Sequence, residues 1–222
     1  MTLNRPQQFI AFVITAFLID YLPLINLPFL WSETFFHEIS HGLAAIFTGG
    51  SVQRIQLNFN GSGLCVTRGG SEFLVAFSGY AGSALWGWMI YRTASVLSQT
   101  HVKYIVAALI AMLILTLILW ARSVSSIVIL LILIIMYSLP LYAKLWISVK
   151  NFIRLLGMFV LLDAIRSPLY LLDGRDLGDG TSLASLTLVP EFVWVVLWVS
   201  IAVGGLVFLW KGSVVKKQAD AS

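Results

Sequence analysis

The sequence predicts an all-α polytopic membrane protein with six or seven transmembrane helices and a small β-hairpin insertion. Three observations predict it. Of its 222 residues 59% are hydrophobic and only 11% charged, with a mean hydropathy of +0.92, well outside the composition of soluble globular domains. The apolar residues gather into runs of about 20, the length a helix needs to cross a hydrocarbon core about 30 Å thick. One polar, glycine-rich stretch, residues 51–70, interrupts the runs with a strand pattern.

The first run extends from Phe9 to about Leu30 and is broken by Asp20, Pro23 and Pro28; the second starts near Trp31 and ends at Gly49-Gly50. The first is long and lacks a small-residue cleavage site, so it reads as a retained span. In residues 51–70, Val52, Arg54, Gln56 and Asn58 alternate imperfectly with Ile55, Leu57 and Phe59 before the turn signal Asn60-Gly61-Ser62-Gly63. This predicts a hairpin pairing Val52–Phe59 with Leu64–Arg68. Lipid cannot satisfy an open strand edge, so the hairpin belongs at the interface or inside the protein, where its edge becomes a candidate docking surface. Further runs cover Phe73–Tyr91, Val102–Trp120, Val124–Leu141, about Leu145–Leu172 and Leu186–Trp210. Residues 173–186 read as a polar loop before the last helix, and residues 1–222 as a single membrane-embedded domain.

The net charge of +4 does not call for nucleic acid. Arg5, Arg92, Lys103, Arg122, Lys211, Lys216 and Lys217 sit at the ends of apolar runs, where basic residues anchor helices, and Trp86, Trp120, Trp146 and Trp210 lie near predicted ends as interfacial aromatics do. The single cysteine, Cys65, excludes an internal disulfide and a cysteine-rich metal site.

Against this background the stretch FFHEISHG, Phe35 to Gly42, stands out. Ionisable groups in a membrane span are expensive and therefore functional candidates. Residues four apart share a helix face, so His37 and His41 can present both imidazoles to one ion while Glu38 stands beside them, the H-E-x-x-H arrangement of zinc peptidases. Zn2+ bound there leaves room for a third protein ligand and a water whose pKa falls toward 7, and Glu38 is placed to act as general base. Glu33, one turn earlier, is a candidate outer partner for His37, and Gly42 would let a neighbouring element approach closely. His101 precedes a span and reads as interfacial.

With no other His or Cys inside an apolar run, an aspartate should supply the third ligand. Asp163 is favoured, because it lies mid-helix in LLGMFVLLDAIRSPLYLL, where an unpaired carboxylate is costly; Arg166 at i+3 offers it a local ion pair instead. Asp179 and Asp173 remain as alternatives, Asp179 with helix capping as its competing role, and Asp20 is the outsider.

The motif HEISHGLAAIFTGG, the Arg-Gly-Gly of CVTRGG, FSGYAGSALWG and the late GDGTSLASLTLVPEFVWVVLW together resemble the site-2 protease family of intramembrane zinc metallopeptidases, especially its small bacterial and plant branch of M-fifty-B-like peptidases. The resemblance covers most of the chain. It implies His37 and His41 as zinc ligands together with a distant aspartate, Glu38 as catalytic base, transmembrane proteins as substrates, and an integral multi-pass location, in the bacterial inner membrane for a bacterial member. It also implies that substrate can add to a β-edge near the site, which would suit Val52–Phe59. One departure is visible: LLDG at Leu171–Gly174 has the letters of the family's aspartate motif but lacks its preceding Asn-Pro segment. The alternative function is a non-proteolytic membrane metal-binding or transport protein.

Overall fold

A computed structural model describes residues 4–142, 148–175 and 177–219. Trp146 and the Leu145 start of the sixth predicted run lie outside the described residues, as do the side chains of Lys216 and Lys217. The chain folds as a helical bundle with one two-stranded antiparallel sheet.

Helix α1, Arg5–Ile19, starts at a capping box in which Asn4 accepts from the Gln7 backbone at 3.1 Å and the Gln7 side chain accepts from the Asn4 backbone at 3.0 Å. Helix α2, Pro23–Phe47, leaves it at 108°. The break thus falls at Asp20–Leu22, not near Leu30 as the first two apolar runs suggested. Proline is well placed in the first turn, where its missing N–H costs nothing, so Pro23 opens a new helix, while Pro28 is absorbed inside it. At about 1.5 Å per residue the 15-residue α1 is roughly 22 Å long, too short to span alone. Five helical segments are long and apolar enough to cross a membrane, six if the bent pair is one span, among the described residues. Seven runs become six because the first two, Phe9–Leu30 and Trp31–Gly50, together form that bent pair.

The remaining spans are α3, Glu72–Val96; α4, Gln99–Leu119; α5, Val124–Tyr142; α6, Val149–Arg166, continued by a 3-10 segment Ser167–Asp173; and α8, Glu191–Ala219. Helix α6 is the centre of the bundle, with Ile153, Leu156, Met158, Val160 and Leu161 fully buried. It meets α3 backbone to backbone. A Cβ on Gly87 would lie 2.5 Å from the Leu161 nitrogen and one on Gly157 2.5 Å from the Tyr91 nitrogen, the small-residue contact by which membrane helices pack without a hydrophobic driving force.

The hairpin is present: β1, Ser51–Leu57, pairs with β2, Gly63–Arg68, in a register that sets Val52 opposite Thr67, Ile55 opposite Cys65 and Leu57 opposite Gly63. A bulge between Val52 and Arg54 is the reason the alternation looked imperfect. Asn58 belongs to the turn, donating its backbone N–H to the Ser62 carbonyl at 2.9 Å, so β1 ends before the predicted Phe59. The hairpin is wedged into the protein. Val52, Ile55 and Leu57 are buried, and the outer side of β1 is in use: the Ile55 N–H donates to the Trp120 carbonyl at 3.0 Å and the Leu57 N–H to the Ser126 hydroxyl at 2.8 Å. The strand expected to offer a docking edge is therefore covered at both residues.

The predicted polar loop 173–186 contains a further helix, α7, Asp179–Thr187. Its nine residues carry too little apolar periodicity to stand out in the sequence, and tertiary contacts hold it. Leu183 is fully buried with Ala76 and Trp198, Thr181 donates to Glu191 at 3.2 Å, and the Trp198 indole ties α8 to the Phe77 carbonyl of α3 at 3.0 Å.

Candidate metal centre

Helix α2 delivers the two imidazoles as its period requires. His37 and His41 meet with their Nε2 atoms 3.0 Å apart, and the ring of His41 is fixed by a 2.7 Å hydrogen bond from Nδ1 to the Val75 carbonyl on α3. A carbonyl can only accept, so Nδ1 carries a proton, and in the neutral ring Nε2 carries the lone pair. Into this corner α7 brings Asp179. Its Oδ2 lies 3.2 Å from His37 Nε2 and 3.3 Å from His41 Nε2, is buried, and has no partner in hydrogen-bonding geometry. An acceptor oxygen facing an acceptor nitrogen inside a protein is unfavourable unless a proton or a metal cation lies between them.

The spacing fits such a cation. Donors at about 2.0–2.1 Å from a tetrahedral ion stand about 3.3–3.4 Å from one another, against the 3.0, 3.2 and 3.3 Å found here. Among the described residues this is the one group of three His, Cys, Asp or Glu side chains drawn together closely enough to hold a metal ion.

Asp179 is the first residue of α7 and follows Gly178, whose φ of +102° turns the chain into the helix. It makes no capping hydrogen bond, which removes the competing role expected for it. The same geometry does not bring Asp163, the aspartate favoured from the sequence, to the histidines. Asp163 is buried on α6 but pairs with Arg166 at 2.8 Å, and Arg166 also holds Asp20 at the α1–α2 corner. Its burial cost is met locally, by the i+3 partner. Asp173 is paired with Arg175 at the surface and stands apart from the imidazoles.

Glu38 is buried beside the metal-site residues and faces the backbone N–H of Cys65 on β2. A Cβ on Gly63 would collide with its carboxylate and with Thr34, so the glycine opening β2 is what lets the strand lie against this side chain. Burial pushes the Cys65 thiol up to about 12, which leaves it protonated and no competitor as a ligand. Glu33 is buried one turn before His37, with Oε1 lacking any hydrogen-bond partner; no bond from it to His37 fixes that ring. Gly42 has the packing role expected of it: an added Cβ would lie 2.9 Å from Val52 of the hairpin.

Three contributors on α3 were not legible. A Cβ on Gly79 would lie 2.5 Å from His41 Nε2 and 2.6 Å from His37 Cε1, so α3 approaches the imidazoles through a glycine, and Gly82 does the same against Ser40. Tyr80 stacks edge-on against His37 with ring centroids 4.5 Å apart. The signal was present in FSGYAGS as a small-residue spacing of three, but nothing in the sequence says what such a face packs against. Together these elements line a cavity of about 870 Å³ that reaches Glu38, His41, Asp179, Tyr80, the outer edge of β2 and Tyr170.

No curated protein and no solved structure matches the chain. The family model described as Peptidase M50B-like matches residues 9–210, from α1 through the last span and so across every element that builds the centre. A membrane bundle whose paired imidazoles, converging carboxylate and neighbouring glutamate all fall within that match belongs to the Peptidase M50B-like family.

Proposed function

We propose that the protein is a zinc metalloendopeptidase that hydrolyses peptide bonds of membrane proteins within or near the bilayer. The observation that carries this reading is the convergence of His37, His41 and Asp179 on one point with Glu38 beside them. Zinc held by those three residues would supply Lewis-acid chemistry, polarising the scissile carbonyl and lowering the pKa of water toward 7. Everything else is the work of this chain. The Val75 carbonyl keeps the proton of His41 on Nδ1, which leaves Nε2 free to coordinate. Glu38 accepts a proton from the attacking water and passes it to the leaving amine. Its burial beside the backbone of β2 confines that proton to the reacting groups.

Substrate reaches the site as an extended segment, because a helical peptide bond hides its carbonyl in an i to i−4 hydrogen bond. With the outer side of β1 bonded to Trp120 and Ser126, the strand that can receive it is β2, whose edge lines the cavity next to Glu38. The resemblance to bacterial members supports an inner-membrane location.

The test is cleavage of a membrane-protein reporter reconstituted with the purified protein, with zinc measured in the same samples. Glu38→Gln should abolish cleavage, by about 10²-fold to 10⁴-fold, and keep its zinc. Zinc bound and transported with no proteolysis by the wild-type protein would replace the peptidase with a metal carrier.

A further inference from the structure

At the far end of the bundle a second, smaller cavity of about 50 Å³ is framed by α1, α3, α6 and α8 and lined by Arg5, Arg92 and Arg154. Among the described residues no acidic side chain lines it. Arg92 makes no hydrogen bond or ion pair among the described residues. Arg154 donates to the Gln8 side chain at 3.1 Å and the Ser95 carbonyl at 3.4 Å, and its Nε–H is buried without a partner. The guanidinium groups of Arg92 and Arg154, brought to one half-buried pocket, repel each other unless an anion joins them.

The position in the membrane narrows the anion. Arg92 lies 13 residues beyond Gly79 on α3, about 20 Å along the helix from the metal centre. Arg5 opens α1, and Gly212, another lining residue, belongs to the last part of α8, so both ends of the described chain come to this face. The described acidic side chains all belong to the other half of the bundle, whereas Lys103, Lys150 and Lys211 join the arginines at this end. Phe9 packs against Tyr91 and Trp210 with centroids 5.9 and 5.5 Å apart, the aromatic setting of a headgroup-level boundary. A water needs about 10–15 Å³ of such space, so the cavity takes on the order of four oxygens, the number a phosphate carries.

We infer that this pocket binds the phosphate of an anionic phospholipid headgroup, with Arg92 and Arg154 as its principal donors and the face carrying both chain ends turned to the anionic leaflet. Arginine forks match phosphate oxygens in pairs, and basic pockets between membrane helices are recognised headgroup sites. The site is independent of the peptidase reading.

Native mass spectrometry of the full-length protein from mixed phosphatidylglycerol and phosphatidylcholine tests it. Wild-type protein should retain phosphatidylglycerol selectively, Arg92→Gln should lower that retention about tenfold, as loss of a charge-assisted contact implies, and Arg92→Lys should restore part of it. Lys103→Gln, exposed at the same face but outside the cavity, should leave retention unchanged. Thermal unfolding in phosphatidylcholine alone, equal for wild type and Arg92→Gln, separates lost lipid from lost fold; should Arg92→Gln unfold early there, the comparison of Arg92→Lys with Lys103→Gln decides. Equal retention of the two lipids, unchanged retention in both Arg92 variants, or the same stabilisation by inorganic phosphate alone would overturn the assignment.

Discussion

Two clusters of ionisable side chains are built into this membrane domain, and they solve the same problem in opposite ways. In the first, Arg166 lies between Asp20 and Asp163, so each carboxylate faces a charge of opposite sign from the chain itself. In the second, His37, His41 and Asp179 bring acceptor atoms together at 3.0–3.3 Å with nothing of opposite sign among them. Burial makes a charge demand a partner, but it does not say whether that partner is another side chain or an ion. The first cluster joins the α1–α2 corner to α6 as part of the fold; the second has the geometry to hold a metal ion.

Disturbing each cluster separately sharpens that contrast. Outside the converging side chains and Glu38, the largest effect is expected at Gly79, where alanine would drive a methyl group to 2.5 Å from His41. Zinc affinity of Gly79→Ala should fall by about 10-fold to 100-fold, comparable to losing an outer-shell support, as read by competition with a chromogenic chelator. Arg166→Gln attacks the other cluster and leaves two carboxylates facing each other. Because Arg166 is a third exposed, water screens part of the cost, and we expect about 1–3 kcal/mol of destabilisation in denaturant unfolding with zinc content unchanged. Asp163→Asn should cost less, about 1 kcal/mol, since Arg166 keeps Asp20. Ile55→Pro probes neither cluster directly. It removes the N–H bonded to Trp120 and should loosen the hairpin by about 1 kcal/mol, with cleavage reduced and zinc kept.

The same contrast explains what could be read from the sequence. The paired imidazoles and Glu38 were legible because helical spacing alone puts them on one face, and the spans because the bilayer fixes their length. The hairpin showed through its alternation and its Asn-Gly turn. Asp179 was harder: at a helix start beside glycine it has the appearance of a cap, and its approach to α2 depends on a turn at Gly178 and on Leu183 finding a place between α3 and α8. Asp163 drew attention because mid-helix burial is costly, yet the residue that meets the cost, Arg166, stands three positions away in plain view. Locating the α1–α2 break required weighing Pro23 against Pro28, which composition treats alike.

The central claim is that Asp179, and not Asp163, completes the metal centre. Zinc content of purified Asp179→Asn and Asp163→Asn, measured side by side in the same detergent with the wild type, tests it most directly. The geometry predicts that Asp179→Asn loses its zinc while Asp163→Asn keeps the wild-type stoichiometry; zinc retained by the first and lost by the second would contradict it.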